Sequence, residues 1–179
     1  DFEADLVVPV SQATAPSMSA TLKYYDYRIA TFDVEAPAGM YWLVVDGVDD
    51  EYFNSEKGGG LEGAAQWILD YVQGLYEKYS SSYSIQEVLE IMAAGNGSVA
   101  DYTTKIDEDT QYNVVFVPFA IDGDKYVLGA LPAHVAFTSE KAPEAEPAYS
   151  SLLGTFTNND AMDYGAAVSE GKTVMLPLT

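Results

Sequence analysis

The side chains able to do chemistry in this 179-residue chain are few in kind. There is one histidine and no cysteine, so disulfides, thiolate zinc sites, iron–sulfur clusters and cysteine nucleophiles are excluded. The histidine, His134, lies in the run 131–138. Period-two alternation there turns Leu131, Ala133, Val135 and Phe137 inward and His134 to the opposite face, beside Pro132. No Gly-x-Ser-x-Gly elbow accompanies it. A histidine metal site needs further imidazoles, so His134 reads as a sheet-surface residue.

Carboxylates are abundant: 28 Asp and Glu stand against 8 Lys and Arg, a net charge of −20. Glycoside hydrolysis needs two carboxyls facing each other across a cleft, and a count alone does not place such a pair. Calcium needs oxygens converging in one loop. The candidates are Asp46, Asp49, Asp50 and Glu51, then Asp107, Glu108 and Asp109, then Asn158, Asn159, Asp160 and Asp163. None has the Asp-x-Asp-x-Asp-Gly spacing, so the acids read as solvated loops and no cofactor or metal is expected. The field they create repels phosphates and anionic membranes, which argues against nucleic-acid and membrane-surface partners.

Aromatic side chains offer a third chemistry, since an exposed ring can stack on a sugar. The chain has 14 Tyr, 7 Phe and 2 Trp. Tyr41 and Trp42 fall in a strand apolar on both faces, and Trp67 and Tyr71 widen a helix stripe, so these four read as core. Tyr24, Tyr25 and Tyr27 cannot all face inward on one strand, which leaves at least one exposed. Tyr52 and Phe53, in the acidic loop before Gly58-Gly59-Gly60, form a second candidate contact pair. The triple glycine lacks a following Lys-Ser/Thr and reads as a flexible hinge rather than a phosphate cradle.

The elements that must position these residues are mostly strands. Residues 1–18 read as an edge strand and lead-in. Alternating runs at 19–24 and 27–36 read as half-buried strands, whereas 40–46 and 112–121 are apolar on both faces and need cover on both. Residues 61–94 supply the cover as two helices. The first carries Leu61, Ala65, Ile68, Val72, Leu75 and Tyr79 at helical spacing. The second opens on a Ser84/Glu87 capping box, buries Val88, Leu89, Ile91 and Met92, and ends with Gly95 at the C′ position. Strands resume at 99–105, Asp122-Gly123-Asp124 marks a hairpin, and 126–138 is the last strand. Residues 139–148 read as a linker, and 149–179 as the start of a second β-domain or a packed arm. No apolar run reaches the length of a membrane span. With Asp1 opening no signal peptide, the chain reads as a processed or trimmed soluble fragment.

About six short strands with a helix pair inserted suggest an immunoglobulin-like sandwich. The segment Ile106-Asp107-Glu108-Asp109-Thr110-Gln111-Tyr112 resembles the Leu-x-Pro-x-Thr-x-Tyr segment of fibronectin type III domains, with Glu108 where the family has proline. The resemblance implies a tyrosine corner at Tyr112, with Ile106 in the buried aliphatic position. The order Thr110–Tyr112, Val114–Ile121, Asp122-Gly123 and Phe137-Thr138 is similar to fibronectin-III-like modules of extracytoplasmic lipoproteins from Bacteroidetes-type bacteria. This implies a mainly β fold: a fibronectin III-like sandwich over 19–138 with a two-helix insertion packed on one sheet, then a short β-rich segment. It also implies a surface location, a lipid anchor whose cysteine is not in this chain, and tandem domains. The function expected is that of a non-catalytic spacer or adhesion and ligand-binding module, its ligand a glycan or a protein. A carbohydrate-binding module and an acid-based glycoside hydrolase are the alternatives.

Overall fold

The structure, a computed structural model, describes residues 16–48 and 50–144. The chain divides into two units, Asp1–Ala142 and Pro143–Thr179, and the described residues belong almost entirely to the first. Most of the lead-in and the whole of 149–179, with its Asn158–Asp163 candidate, lie outside them, as does Asp49. In chain order the elements are β1 (Ser19–Tyr25), β2 (Ile29–Glu35), β3 (Tyr41–Val48), α1 (Asp50–Asn54), α2 (Gly60–Tyr79), α3 (Ile85–Met92), β4 (Gly95–Asn96), β5 (Val99–Lys105), β6 (Gln111–Asp122), β7 (Lys125–Leu128) and β8 (Ala133–Thr138).

The strands form two antiparallel sheets. One has the order β1-β2-β5; the other runs β4-β3-β6-β7, with β8 also pairing β6. Most of the described secondary structure is strand, and the helical segment packs on the five-stranded sheet. The doubly apolar pattern of β3 and β6 explains the layering. On one face Trp42, Val114 and Phe116 meet Ala30, Phe32 and Val34 of the three-stranded sheet. On the other, Leu43, Val115, Val117 and Phe119 pack under Ile68, Leu69, Val72, Val88 and Leu89. Each such buried side chain contributes about 1.5–3 kcal/mol over exposure, which offsets the cost of ordering the inserted helices.

Local signals act largely as their chemistry requires. Ser84 Oγ accepts from Glu87 N–H at 3.2 Å while Glu87 Oε2 accepts from Ser84 N–H at 2.7 Å, closing the capping box. Asp122 pairs with Lys125 around Gly123, whose φ of +63° suits the tight turn.

Several expectations need correction. The run 126–138 is not one strand: β7 pairs the C-terminal half of β6 and β8 the N-terminal half. Gly129 and Pro132 lie in the break, and Leu131 is 59% exposed rather than inward. Gly95 is no C′ glycine. The cap of α3 is Ala93, in extended backbone, and Gly95 lies directly opposite Trp42 in β4. A Cβ there would overlap the indole at Cζ2 and Cε2. Ile91, expected in the core, is 67% exposed. Ser139, placed in the linker, is buried and donates from Oγ to Asp107 O at 2.6 Å.

Candidate functional site: a cleft on the helical insert

The acidic segment after β3 forms a short helix, α1, rather than a loop. Phe53 buries itself against the sheet from this helix, and Gly47 makes room for it. A Cβ on Gly47 would lie 2.8 Å from Asn113 O and 3.4 Å from Phe53 Cδ2. Beyond α1 the chain folds back tightly. Ser55 N–H donates to Tyr52 O at 3.1 Å, Gly58 N–H to Ser55 Oγ at 3.1 Å, and Gly59 N–H to Ser55 O at 2.9 Å.

Gly58 then presses on the first turn of α2, where a Cβ on Gly63 would overlap the Gly58 carbonyl oxygen. Gly59 and Gly60 adopt φ of +67° and +59°. The triple glycine is therefore a packed, hydrogen-bonded turn. Its glycines are required by close approach and left-handed backbone, which replaces the expected hinge.

Between the end of β3, α1, this turn and α2 lies a cleft of about 540 Å³. Val45, Gly47, Phe53 and Ala64 form its floor, Tyr52 and Trp67 flank it, and Glu56 and Lys57 stand at its rim. Trp67 is 58% exposed and Tyr52 55%. Tyr71, at 49%, stacks on Trp67 with ring centroids 5.6 Å apart and planes within 10°. Tyr71 is not among the residues that line the cleft.

The reading of Trp67 and Tyr71 as core is thus overturned. The signal was available: at 100° per residue they stand roughly 150° and 110° from the centre of the face formed by Ala65, Ile68, Leu69 and Val72. They belong to the wet face of α2.

Beneath α1 a polar chain ties the helix to the sheet. Asn113, almost fully buried, donates from Nδ2 to Asp50 Oδ1 at 3.0 Å, and Asn54 Nδ2 donates to the same oxygen at 3.0 Å. Asp50 accepts only, so it orients the Asn113 amide and leaves Oδ1 for His134 Nε2, 2.9 Å away. The histidine therefore carries its proton on Nε2. Its ring stacks on Phe53 with centroids 5.0 Å apart. Burial holds its pKa below the ordinary value, partly offset by Asp50. His134 lies on the exposed face opposite Ala133, as a sheet-surface residue, and from there its ring also supports α1 through Asn113 and Phe53.

The described members of the first calcium set, Asp46, Asp50 and Glu51, do not converge. Asp46 shares its face of β3 with Trp42 and Val44, turned toward the other sheet, and burial raises its pKa. Asp50 is committed to Asn113 and Asn54, and Glu51 is exposed on α1. Among the described residues no group of three or more His, Asp or Glu is arranged to hold a metal ion.

Asp107, Glu108 and Asp109 instead belong to the crossing before β6. Tyr112 Oη accepts from Asp107 N–H at 2.7 Å, and Glu108 Oε2 accepts from Ala142 N–H at 2.7 Å. Ile106 is buried in the core beside Tyr112.

The tyrosines of the first sheet lie apart from the cleft. Tyr24 is exposed and donates to Asp26 Oδ2 at 3.3 Å, Tyr25 packs on Phe137, and Arg28 lies over the Tyr27 ring at 4.7 Å. The structure brings Tyr52 together with Trp67, and not with Tyr24, Tyr25 or Tyr27. Phe53, paired with Tyr52 in the sequence, is buried and serves as floor. A second recess of about 330 Å³ between α2 and α3 is lined by apolar residues that include Tyr79, Tyr83 and Ile91.

Comparisons with protein-family models, with curated proteins and with solved structures return no match to this chain.

Proposed function

We propose that residues 19–138 form an immunoglobulin-like, fibronectin III-like sandwich serving as a non-catalytic ligand-binding module of a surface or secreted protein. The strand orders β1-β2-β5 and β4-β3-β6, with β8 beside β6, support the scaffold, as does the Tyr112 hydroxyl bonded back to Asp107 N–H. One observation carries the functional reading. The helical insert does more than cover the outer sheet face: with β3 it builds a cleft of about 540 Å³ flanked by exposed aromatic rings. That volume is within the range of small-molecule sites.

The non-catalytic part rests on the carboxylates. Glu56 and Asp46 are the acids among the residues lining the cleft, and strand alternation sets Asp46 on the face of β3 that carries Trp42 and Val44, so the two carboxylates do not oppose each other across it. Paired-carboxylate hydrolysis needs two that do. The location, with tandem neighbours and a lipidated N-terminus outside this chain, follows from the resemblance stated above.

The test is turnover. The purified chain, incubated with oligosaccharide and peptide panels and followed by mass spectrometry, is expected to leave them unchanged. Product formation that Glu56→Gln abolishes would refute the non-catalytic reading. On intact source cells the module is expected to be open to added protease, and protection would count against a surface location.

A further inference from the structure

We infer that the cleft binds a carbohydrate, with one pyranose ring seated against the Trp67 indole and Tyr71, stacked on that indole, acting as a positioning residue. The inference rests on reading the module as a ligand binder and names its ligand class.

Three features of the cleft converge on this chemistry. Its flanks, Tyr52 and Trp67, are aromatic and more than half exposed, although solvent exposure of a large indole is unfavourable in the free protein. A pyranose presents a face of C–H groups that covers such a ring while its hydroxyls point sideways. At the rim stand Glu56, an acceptor, and Lys57, a donor, which suit hydroxyls that both give and accept hydrogen bonds. A lipid chain would leave both charges unused. Finally, the site is built to be stiff. Gly47, Gly58 and Gly63 sit at contacts with no room for a Cβ, and α1 is tied down through Asp50, Asn113 and His134. Stiffness lowers the ordering cost of binding a polar ligand that gains little per contact.

Tyr71 extends the same logic. An exposed tryptophan on a helix samples several rotamers, and a parallel ring one turn away selects one of them. The indole is then held where it flanks the cleft.

The two tryptophans make the test direct, because Trp42 is fully buried while Trp67 is exposed. The intact chain is titrated with soluble gluco-, manno- and galacto-configured oligosaccharides and their N-acetylated counterparts. Tryptophan emission and acrylamide quenching are read out for the chains that keep Trp67, and isothermal titration calorimetry gives the affinity of every variant, Trp67→Ala included. At least one saccharide is expected to shift emission and shield Trp67. Trp67→Ala should weaken that binding at least about tenfold, as for a central aromatic anchor. Tyr71→Ala should weaken it about threefold, and Tyr71→Phe, which keeps the stacked ring, should restore the affinity. Tyr24→Ala should leave the affinity within about twofold.

Binding that survives Trp67→Ala, or no response to any saccharide, overturns the carbohydrate inference. The broader reading has its own check: a protein or peptide ligand lost on Trp67→Ala would sustain the binding module while refuting its sugar. Saccharide turnover would refute the non-catalytic reading instead.

Discussion

Gly95 provides the sharpest check on the packing described above. Substituting alanine places a Cβ on the Trp42 ring at Cζ2 and Cε2, so the indole or the short β4 must move. Overpacking of a dense core costs about 1–3 kcal/mol. The shift also threatens the Trp42 Nε1–H bond to Gly97 O, 2.9 Å long and buried, worth about 1 kcal/mol. Gly95→Ala should therefore destabilise by about 3 kcal/mol. With a denaturant slope near 2 kcal/mol/M, the urea midpoint falls by about 1.5 M.

Two further variants separate this cause from the conformational one. If Gly95 were a left-handed C′ residue, asparagine would be the better replacement. Since the obstacle is volume, Gly95→Asn should be at least as damaging as Gly95→Ala. Trp42→Phe removes the obstructing atoms, so adding Gly95→Ala to it should cost about 1–2 kcal/mol less than in the wild type. Equilibrium urea unfolding, followed by circular dichroism, measures all four. A near-neutral Gly95→Ala, a milder Gly95→Asn, or strict additivity with Trp42→Phe would refute the reasoning.

The polar support of α1 predicts that Asn113→Asp, which sets a second carboxylate against Asp50, destabilises by about 2–3 kcal/mol at neutral pH. Part of the loss should return on acidification, when the new carboxyl can donate; urea midpoints across pH measure it. Tyr112→Phe removes the acceptor of Asp107 N–H and should cost about 1–2 kcal/mol in thermal or urea unfolding, with the fold retained. Tyr126 donates to Ile85 O at 2.6 Å, and burial pushes its phenol up to about 12 from the ordinary 10.0. Between these values the folded state holds more protons than the unfolded one, so stability falls as pH rises through that window. Tyr126→Phe should lose its own hydrogen bond at neutral pH yet show a shallower alkaline decline in unfolding midpoint.

Much of the scaffold was legible because its signals are local. Period-two alternation marked β2, two-sided apolarity marked β3 and β6 as middle-layer strands, and the Ser84/Glu87 box and the Asp122–Gly123 turn act within a few residues. The cleft was harder to read. Tyr52 is legible as a contact candidate from its place beside Phe53 in the acidic segment before the triple glycine. Trp67 and Tyr71 read as a widening of the apolar stripe of α2, although their angular positions set them on its wet side. Gly95 reads as a helix-ending glycine because a one-dimensional pattern holds conformational preference but not the Trp42 ring that arrives from another strand.

The chain by itself thus determined strand-dominated layering, a helical cover and the absence of cysteine chemistry, since composition and short-range periodicity suffice for these. Only the tertiary structure decided that α1 stands on an Asn113–His134 support, that Asp46 faces away from Asp50, and that Tyr52 and Trp67 meet across one cleft. Those facts depend on contacts such as Asn113–His134, Asp50–Asn113 and Phe53–His134, between residues 21 to 81 positions apart. Such contacts are selected by packing of the whole unit, which no local pattern encodes.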